Sequence, residues 1–225
     1  MTIAEAPALM PLSIEPHSRA NSFRRKRFAV VLDLIDRAIA EHGRCRILDV
    51  GGEAGYWRAM DDLLAGRPVT IDLVNLEAEA VDDARMRSHK GDACDLSAFV
   101  GEGFHVVHAN SVIEHVGDWQ RMKAMAAEVS RAAPRYFVQS PYYWFPIEPH
   151  WRVPALHWFS DPIRAQILLA FKPGFSDPRT FDEAMTEAQS ARILDVRQLS
   201  TLFPDATIRR ERIFGLTKSI MAVRG

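Results

Sequence analysis

The stretch Arg46–Trp57 most constrains the fold of this chain, because a buried strand runs directly into a glycine-rich turn. The apolar run Ile47–Val50 is typical of a parallel strand that is covered on both faces. Glycines follow at positions 51, 52 and 55, and apolar residues then recur at roughly helical spacing. Strand, glycine turn and helix open a nucleotide-type βαβ unit, in which a ligand approaches the backbone at the helix N-terminus.

This turn resembles the first motif of class I S-adenosylmethionine-dependent methyltransferases, which reads approximately Asp-x-Gly-x-Gly-x-Gly. Asp49, Gly51 and Gly55 match the motif, and Glu53 stands where the middle glycine is usual. The resemblance implies S-adenosyl-L-methionine as cofactor and S-adenosyl-L-homocysteine as product. It also implies that Asp49, Gly51, Gly52, Glu53 and Gly55 bind the cofactor. Glu53 would point to solvent or contact the amino-acid end of that molecule.

The next predicted strand, Val69–Leu76, carries the candidate ribose ligand. In this fold an acidic residue at the end of the second strand accepts hydrogen bonds from both ribose hydroxyls, a task that suits a bidentate carboxylate. Glu77 has the better position for this role, whereas Asp72 lies inside the strand and is the alternative.

A short third strand is predicted to end at Lys90, and a stretch that resembles the family's adenine-binding segment follows it. The resemblance implies that Asp92 accepts from the adenine amino group and that Ala93 contacts the ring. The alternative is that Asp92 or Asp95 serves only as a helix cap.

The fourth strand is predicted over Phe104–Asn110, and the string Asn110–Val116 closely resembles the fourth-motif region of a bacterial small-molecule methyltransferase subgroup. Ligands of open parallel sheets bind outside the carboxyl ends of the strands. We therefore expect Asn110 to contact the cofactor and His115 to lie near the transferred methyl group. His115 is the first candidate for a general base, because its ordinary pKa lies near neutrality. The alternative is that His115 fixes the turn or binds Glu114.

After a predicted fifth strand, Tyr136–Gln139, residues 141–190 break the β–α rhythm with many aromatic residues and prolines. The piece Phe145–His150 again resembles the same subgroup. Such an insertion is predicted to form a lid or a substrate wall, although packing of a small helical subdomain would also explain its tryptophans. Candidate substrate-binding residues are Tyr142, Tyr143, Trp144 and His150, and His150 is also the second candidate base.

The predicted fold class is α/β: a Rossmann-like, seven-stranded, mostly parallel sheet with helices on both faces. The segments Ala206–Phe214 and Leu216–Val223 are predicted to add an antiparallel C-terminal strand pair. Residues 1–20 are expected to be a flexible arm, and residues 21–225 a single domain. Ser22 is the predicted N-cap of the first helix.

The overall composition limits the kinds of partner that this protein is expected to bind. The net charge of −1 gives no basic field for nucleic acid. No apolar run approaches the ~20 residues of a membrane span, so no membrane partner is expected. Cys45 and Cys94 match no metal-ligand spacing, and no metal is expected. A cytoplasmic location is expected, and a homodimer is compatible with the sequence.

The function that the sequence favours is methyl transfer from S-adenosylmethionine to a small-molecule acceptor, with an oxygen nucleophile (hydroxyl or carboxylate) preferred. The sulfonium is already activated, so alignment and exclusion of water carry most of the catalysis. Two alternatives are a non-catalytic S-adenosylmethionine-binding regulatory module and a nicotinamide-dependent oxidoreductase. The second is less favoured, because Asp92 and the antiparallel ending do not support it.

Overall fold

The computed structural model describes residues 19–174 and 176–225, with side chains from residue 24 onward. The predicted arm over residues 1–20 therefore lies almost entirely outside the described residues. The helices are α1 Arg19–His42, α2 Ala54–Arg58, α3 Asp61–Leu64, α4 Trp119–Ala132, α5 Asp161–Phe171, α6 Phe181–Gln189 and α7 Val196–Leu202. The strands are β1 Cys45–Val50, β2 Val69–Asn75, β3 Met86–Lys90, β4 Val106–Asn110, β5 Arg135–Pro141, β6 Thr207–Ile213 and β7 Leu216–Arg224.

The seven strands form one sheet in the order β3-β2-β1-β4-β5-β7-β6. Strands β1 to β5 pair in parallel, and β7 runs antiparallel to both β5 and β6. The predicted fold class is therefore confirmed, including the antiparallel C-terminal pair. The strand order reverses direction at β1 and β4, and ligands of open α/β sheets bind at such a switch point.

Two apolar clusters cover the two faces of the sheet. On one face, side chains of α1, α2 and α3 pack on the strands, among them Phe28 and Trp57. On the other face, α4 and α7 contribute Met122, Met125 and Leu199. Helices thus lie on both faces, and the inner strands are buried on both sides, which explains their continuous apolar character.

Several predicted boundaries differ from the structure. Helix α1 begins at Arg19 instead of after Ser22, so the predicted N-cap is wrong. Strand β2 ends at Asn75, one residue earlier than predicted, and this leaves Glu77 two residues beyond the strand. The apolar segment after the glycine turn is two short helices, because Met60 leaves the helical region at φ −112° and ends the first one.

The insertion after β5 has a small core of its own. Helices α5 and α6 pack against each other and bury six side chains, which are Trp151, Leu156, Ala165, Leu168, Ala184 and Ala188. The core-packing explanation therefore holds for Trp151, whereas Trp144 and Trp158 are exposed. In the described part of the chain, no helix combines the length and apolarity that a membrane crossing requires.

Candidate functional site

The turn between β1 and α2 is held in one shape by close packing. Gly51 has φ +73°, and its N–H donates to the Val74 carbonyl at 2.8 Å. A Cβ atom on Gly51 would approach Val112 Cγ2 to 2.6 Å, and one on Gly52 would lie 1.6 Å from Asp49 Oδ2. Both positions thus require glycine for space, and Gly51 also requires it for its backbone conformation.

Asp49 supports this turn from inside the protein. Its carboxylate is fully buried and accepts from Trp57 Nε1 at 2.6 Å and from His108 Nδ1 at 2.7 Å. Since both oxygens already have protein partners, the structure gives Asp49 the role of fixing the glycine turn. Its predicted direct contact with the cofactor stays a prediction.

Asn75, which the sequence analysis did not select, ties the turn to the neighbouring strand. It ends β2, and its Nδ2 donates to the Gly52 carbonyl at 2.8 Å. A polar residue at the carboxyl end of a buried parallel strand was the available signal. Glu53 is the N-cap residue of α2 and makes no capping bond with its side chain, so its carboxylate is not committed there. Gly55 lies in the first turn of α2.

The two acidic residues that are candidates to bind the ribose, Asp72 and Glu77, have different surroundings. Asp72 is buried, and its Oδ1 pairs with His89 Nε2 at 2.7 Å, so its carboxylate is used inside the sheet. Glu77 is exposed and pairs with the exposed Lys90, whose Nζ lies 2.7 Å from Oε1. Glu77 is therefore the accessible carboxylate of the two, and its contact with the ribose stays a prediction.

Asp92 follows β3 and is partly committed to protein partners. It accepts two bonds from Arg121 Nη2, at 2.9 and 2.8 Å, and one from the Cys94 N–H at 2.9 Å. Partial burial opposes ionisation of Asp92, but the bonds from Arg121 and Cys94 outweigh it and lower the carboxyl pKa. The bond from Cys94 closes a local turn and does not cap a helix, and the adenine contact stays a prediction. Ala93 is half-buried against the core.

A tight turn follows Asn110 at the end of β4. Ser111 adopts φ +60°, its N–H donates to the Gln139 carbonyl, and its Oγ donates to Gln139 Oε1 at 2.9 Å. Positive φ is uncommon for a residue with a side chain. These bonds to β5 fix the turn, which continues into a 3₁₀ turn over Ile113–His115.

Two histidines that the sequence analysis selected separately meet at this turn. His115 Nε2 lies 3.2 Å from His150 Nε2, although 35 residues separate them. His115 Nδ1 donates to the Ser190 carbonyl at 3.0 Å, so this histidine also fixes the end of the insertion against the turn. His150 Nδ1 pairs at 2.6 Å with Glu148, which is itself buried.

The histidine pair lies beside a buried carboxylate that was not among the predicted site residues. Glu114 is 1% exposed, and neither of its oxygens has a hydrogen-bond partner among the described residues. Burial raises the pKa of Glu114, and the nearby His115 and His150 act in the opposite direction. For His150, burial lowers the pKa, but the bond to Glu148 and the negative charges of Glu148 and Glu114 together outweigh it, so the pKa lies above the ordinary value.

The predicted substrate-side aromatics form the start of the insertion. Tyr142 bridges to Leu194 and is half-buried. The Tyr143 carbonyl accepts from His157 Nε2 at 2.6 Å and from Trp158 Nε1 at 2.9 Å. Tyr143 also borders a cavity of about 350 Å³, whose other lining residues are Ile193, Asp195, Arg197 and Gln198. Trp144 is 58% exposed and contacts Tyr143 edge-on.

Comparisons with solved structures identify the fold. A S-adenosylmethionine-dependent methyltransferase from Archaeoglobus fulgidus superposes with a TM-score of 0.53 at 12% identity, covering 91% of this chain and 94% of that one. A possible exported protein from Bordetella parapertussis has a TM-score of 0.53 at 16% identity, over 88% and 68% of the two chains. The CMeT domain of citrinin polyketide synthase gives 0.51 at 9% identity, over 80% of this chain and 46% of that one.

This chain has the fold of class I S-adenosylmethionine-dependent methyltransferases, as its first motif and its strand order indicate together. The resemblance noted in the sequence is thus confirmed for the fold. No family model matches the chain, and a comparison with curated proteins finds no match.

Proposed function

We propose that this protein transfers a methyl group from S-adenosylmethionine to an oxygen of a small-molecule acceptor. The observation that carries the proposal is the locked Gly51–Gly52 turn at the switch point of a sheet with this fold. Such a turn brings backbone close to a ligand at the carboxyl edge of the sheet. The neighbour from Archaeoglobus fulgidus, named as a S-adenosylmethionine-dependent methyltransferase, supports the same cofactor.

On the cofactor side, each proposed contact has a chemical reason. Glu77 accepts from the ribose hydroxyls, a role in which the cofactor displaces the exposed Lys90. Asp92 and Ala93 border the adenine, and Arg121 keeps Asp92 ionised as an acceptor. The Glu53 carboxylate makes no capping bond to α2, and in this proposal it faces the ammonium group of the methionine moiety. Asn110, the last residue of β4, contacts the same end of the cofactor.

On the acceptor side, the reaction is an in-line displacement at carbon. The acceptor oxygen forms a bond to the methyl carbon while the carbon–sulfur bond breaks, and the sulfonium becomes a neutral thioether. A hydroxyl acceptor also loses a proton, which His115 or His150 accepts at Nε2; a carboxylate acceptor needs no base. Tyr142, Tyr143 and Trp144 supply apolar surface for the acceptor body.

Calorimetric titration with S-adenosylhomocysteine tests the first part of the proposal, and we expect one site per chain. Incubation with S-adenosylmethionine and pools of hydroxylated or carboxylated small molecules tests the second, with release of S-adenosylhomocysteine as the readout. Binding without turnover in every pool would favour a regulatory module. Absence of binding would remove the proposed cofactor.

A further inference from the structure

The orientation of His115 and His150 is fixed by the groups that accept their Nδ1 protons. The Ser190 carbonyl can only accept, so His115 carries its proton on Nδ1. The Glu148 carboxylate accepts from His150 Nδ1 and also, at 2.6 Å, from the Trp151 N–H. In both neutral rings, Nε2 therefore presents a lone pair, and the two lone pairs face each other across 3.2 Å. Such a contact is repulsive unless a cation lies between the two nitrogens.

Glu114 distinguishes a metal ion from a shared proton as that cation. One oxygen of Glu114, one ring nitrogen of His115 and one ring nitrogen of His150 all lie within 4.8 Å of one another. A proton between the imidazoles would leave at least one buried Glu114 oxygen unpaired, at a considerable desolvation cost. The buried Ser140 hydroxyl lies near Glu114 and can satisfy only one of its two oxygens. A metal ion satisfies the carboxylate and both nitrogens at once.

The geometry and charge of the cluster match a divalent transition metal. Two nitrogens bound tetrahedrally to Zn²⁺ at 2.0–2.1 Å lie about 3.3 Å apart, close to the 3.2 Å observed. In the metal-bound form, the carboxylates of Glu114 and Glu148 would together balance the charge of a divalent ion. The Glu148–His150 bond is also the carboxylate–histidine arrangement that orients metal ligands in proteins.

We propose that Glu114, His115 and His150 bind one divalent transition-metal ion, with Zn²⁺ the best match. Two imidazoles and one carboxylate leave a coordination position open, as in catalytic zinc sites. The sequence analysis predicted no metal site, because the three proposed ligands are not close together in the sequence. Glu114 and His115 are adjacent after β4, and His150 follows His115 by 35 positions. The site uses the same two Nε2 atoms as the candidate bases of the proposed methyl transfer, so either nitrogen can accept a proton only in the metal-free protein.

The test uses the full chain after treatment with a chelator and dialysis. Titration with Zn²⁺ by calorimetry should give one ion per chain, and Co²⁺ should give the visible absorption of a low-symmetry, nitrogen-ligated ion. His150→Ala should weaken Zn²⁺ binding at least 100-fold, and Glu114→Gln at least tenfold. Glu148→Gln should weaken it about 10- to 100-fold, the usual effect of losing a group that orients a ligand.

A matched control removes a histidine from the other close pair in the described chain. His42 stacks on His105 with ring centroids 4.5 Å apart, and His42→Gln should leave the affinity and the stoichiometry unchanged. Thermal unfolding of each metal-free variant identifies any that fail to fold. If His150→Ala does not fold, Glu114→Gln, which keeps the side-chain shape, provides the test of the proposal. Wild-type protein that takes up no ion, or a folded His150→Ala or Glu114→Gln variant that binds as tightly as wild type, overturns the proposal. Neither readout involves S-adenosylmethionine, so the two proposals fail separately.

Discussion

A Cβ atom on Gly52 would lie 1.6 Å from the Asp49 carboxylate, which is itself fixed by Trp57 and His108. At the scale of single residues, this contact explains the glycine motif better than backbone freedom does, since Gly52 does not have positive φ. The carboxylate of Asp49 therefore leaves room only for glycine at position 52, three residues later. The proposed cofactor site is therefore shaped by a carboxylate that lies behind the glycine turn.

Replacement of this glycine provides a direct test of the arrangement. Gly52→Ala should lower the free energy of unfolding by about 1–3 kcal/mol through overpacking and should weaken S-adenosylhomocysteine binding at least tenfold. Urea unfolding and calorimetry measure the two effects. Gly66→Ala is the control: Gly66 has φ +75° and open space around its Cβ position, so the change costs stability but should leave binding unaltered. Equal affinities of the Gly52→Ala variant and wild type would contradict the proposed turn contact.

The exposed carboxylate of Glu77 gives the second prediction at this scale. Glu77→Gln should weaken cofactor binding by about 1.5–3 kcal/mol, because a charge-assisted hydrogen bond to the ribose is lost. Glu102→Gln is a suitable control, since Glu102 is exposed in the loop before β4, at the opposite edge of the sheet. Calorimetry with S-adenosylhomocysteine measures both variants. An unchanged affinity for Glu77→Gln would remove this residue from the site.

At the scale of elements, the C-terminal strand is tied to its neighbours by one carboxylate. Asp205 precedes β6, accepts from the Tyr136 hydroxyl on β5 and pairs with Arg224 on β7 at 2.7 Å. These two bonds, the one from Tyr136 first, lower the pKa of Asp205. A carboxylate with a lowered folded-state pKa contributes stability above its unfolded pKa and loses it as pH falls through the folded value.

Asp205→Asn should therefore lower the free energy of unfolding at pH 7 by about 1 kcal/mol, a modest value because the carboxylate is half exposed. The difference between wild type and variant should shrink below the ordinary carboxyl pKa of 3.8, as protonation of Asp205 removes the same interaction. Urea titrations at pH 7 and at a series of acidic pH values measure this. A difference that stays constant down to the acid transition would show that the charge on Asp205 contributes nothing.

The sequence predicts the buried strands better than it predicts helix ends and contacts within the site, and this has a physical reason. Buried strands such as β1 and β4 were predicted because burial on both faces demands continuous apolar residues. The start of α1 and the break at Met60 were not predicted, because helix ends depend on local geometry that propensity does not encode. Asp49 was assigned to the cofactor from its motif. Its pairing with His108 could not be predicted, because His108 lies on β4 and strand register brings it opposite Asp49.

The histidine cluster is a property of the whole molecule. His115 and His150 were each selected from sequence, but their contact depends on how the insertion folds back on the β4 turn. Two bonds join the far end of the insertion to that turn: His115 Nδ1 to the Ser190 carbonyl, and the Arg192 N–H to the Glu114 carbonyl. A third bond, from the Tyr143 N–H to the Leu194 carbonyl, joins the start of the insertion to the segment that follows it. The glycine turn of β1 takes no part in these bonds, although Gly51 packs against Val112 in the turn after β4. The two clusters are therefore neighbours that are held by different hydrogen bonds.

This separation predicts that binding and turnover respond to different substitutions. His115→Ala should lower turnover of a hydroxyl acceptor, since the imidazole that accepts its proton or orients it is removed, while S-adenosylhomocysteine affinity should stay within a few-fold of wild type. Gly52→Ala should instead lower mainly the affinity for the cofactor, with a smaller effect on turnover. Steady-state kinetics alongside calorimetry measures both variants. Unchanged turnover of a hydroxyl acceptor in a folded His115→Ala variant would take His115 out of the mechanism, and a parallel loss of cofactor affinity would mean that the two clusters act as one.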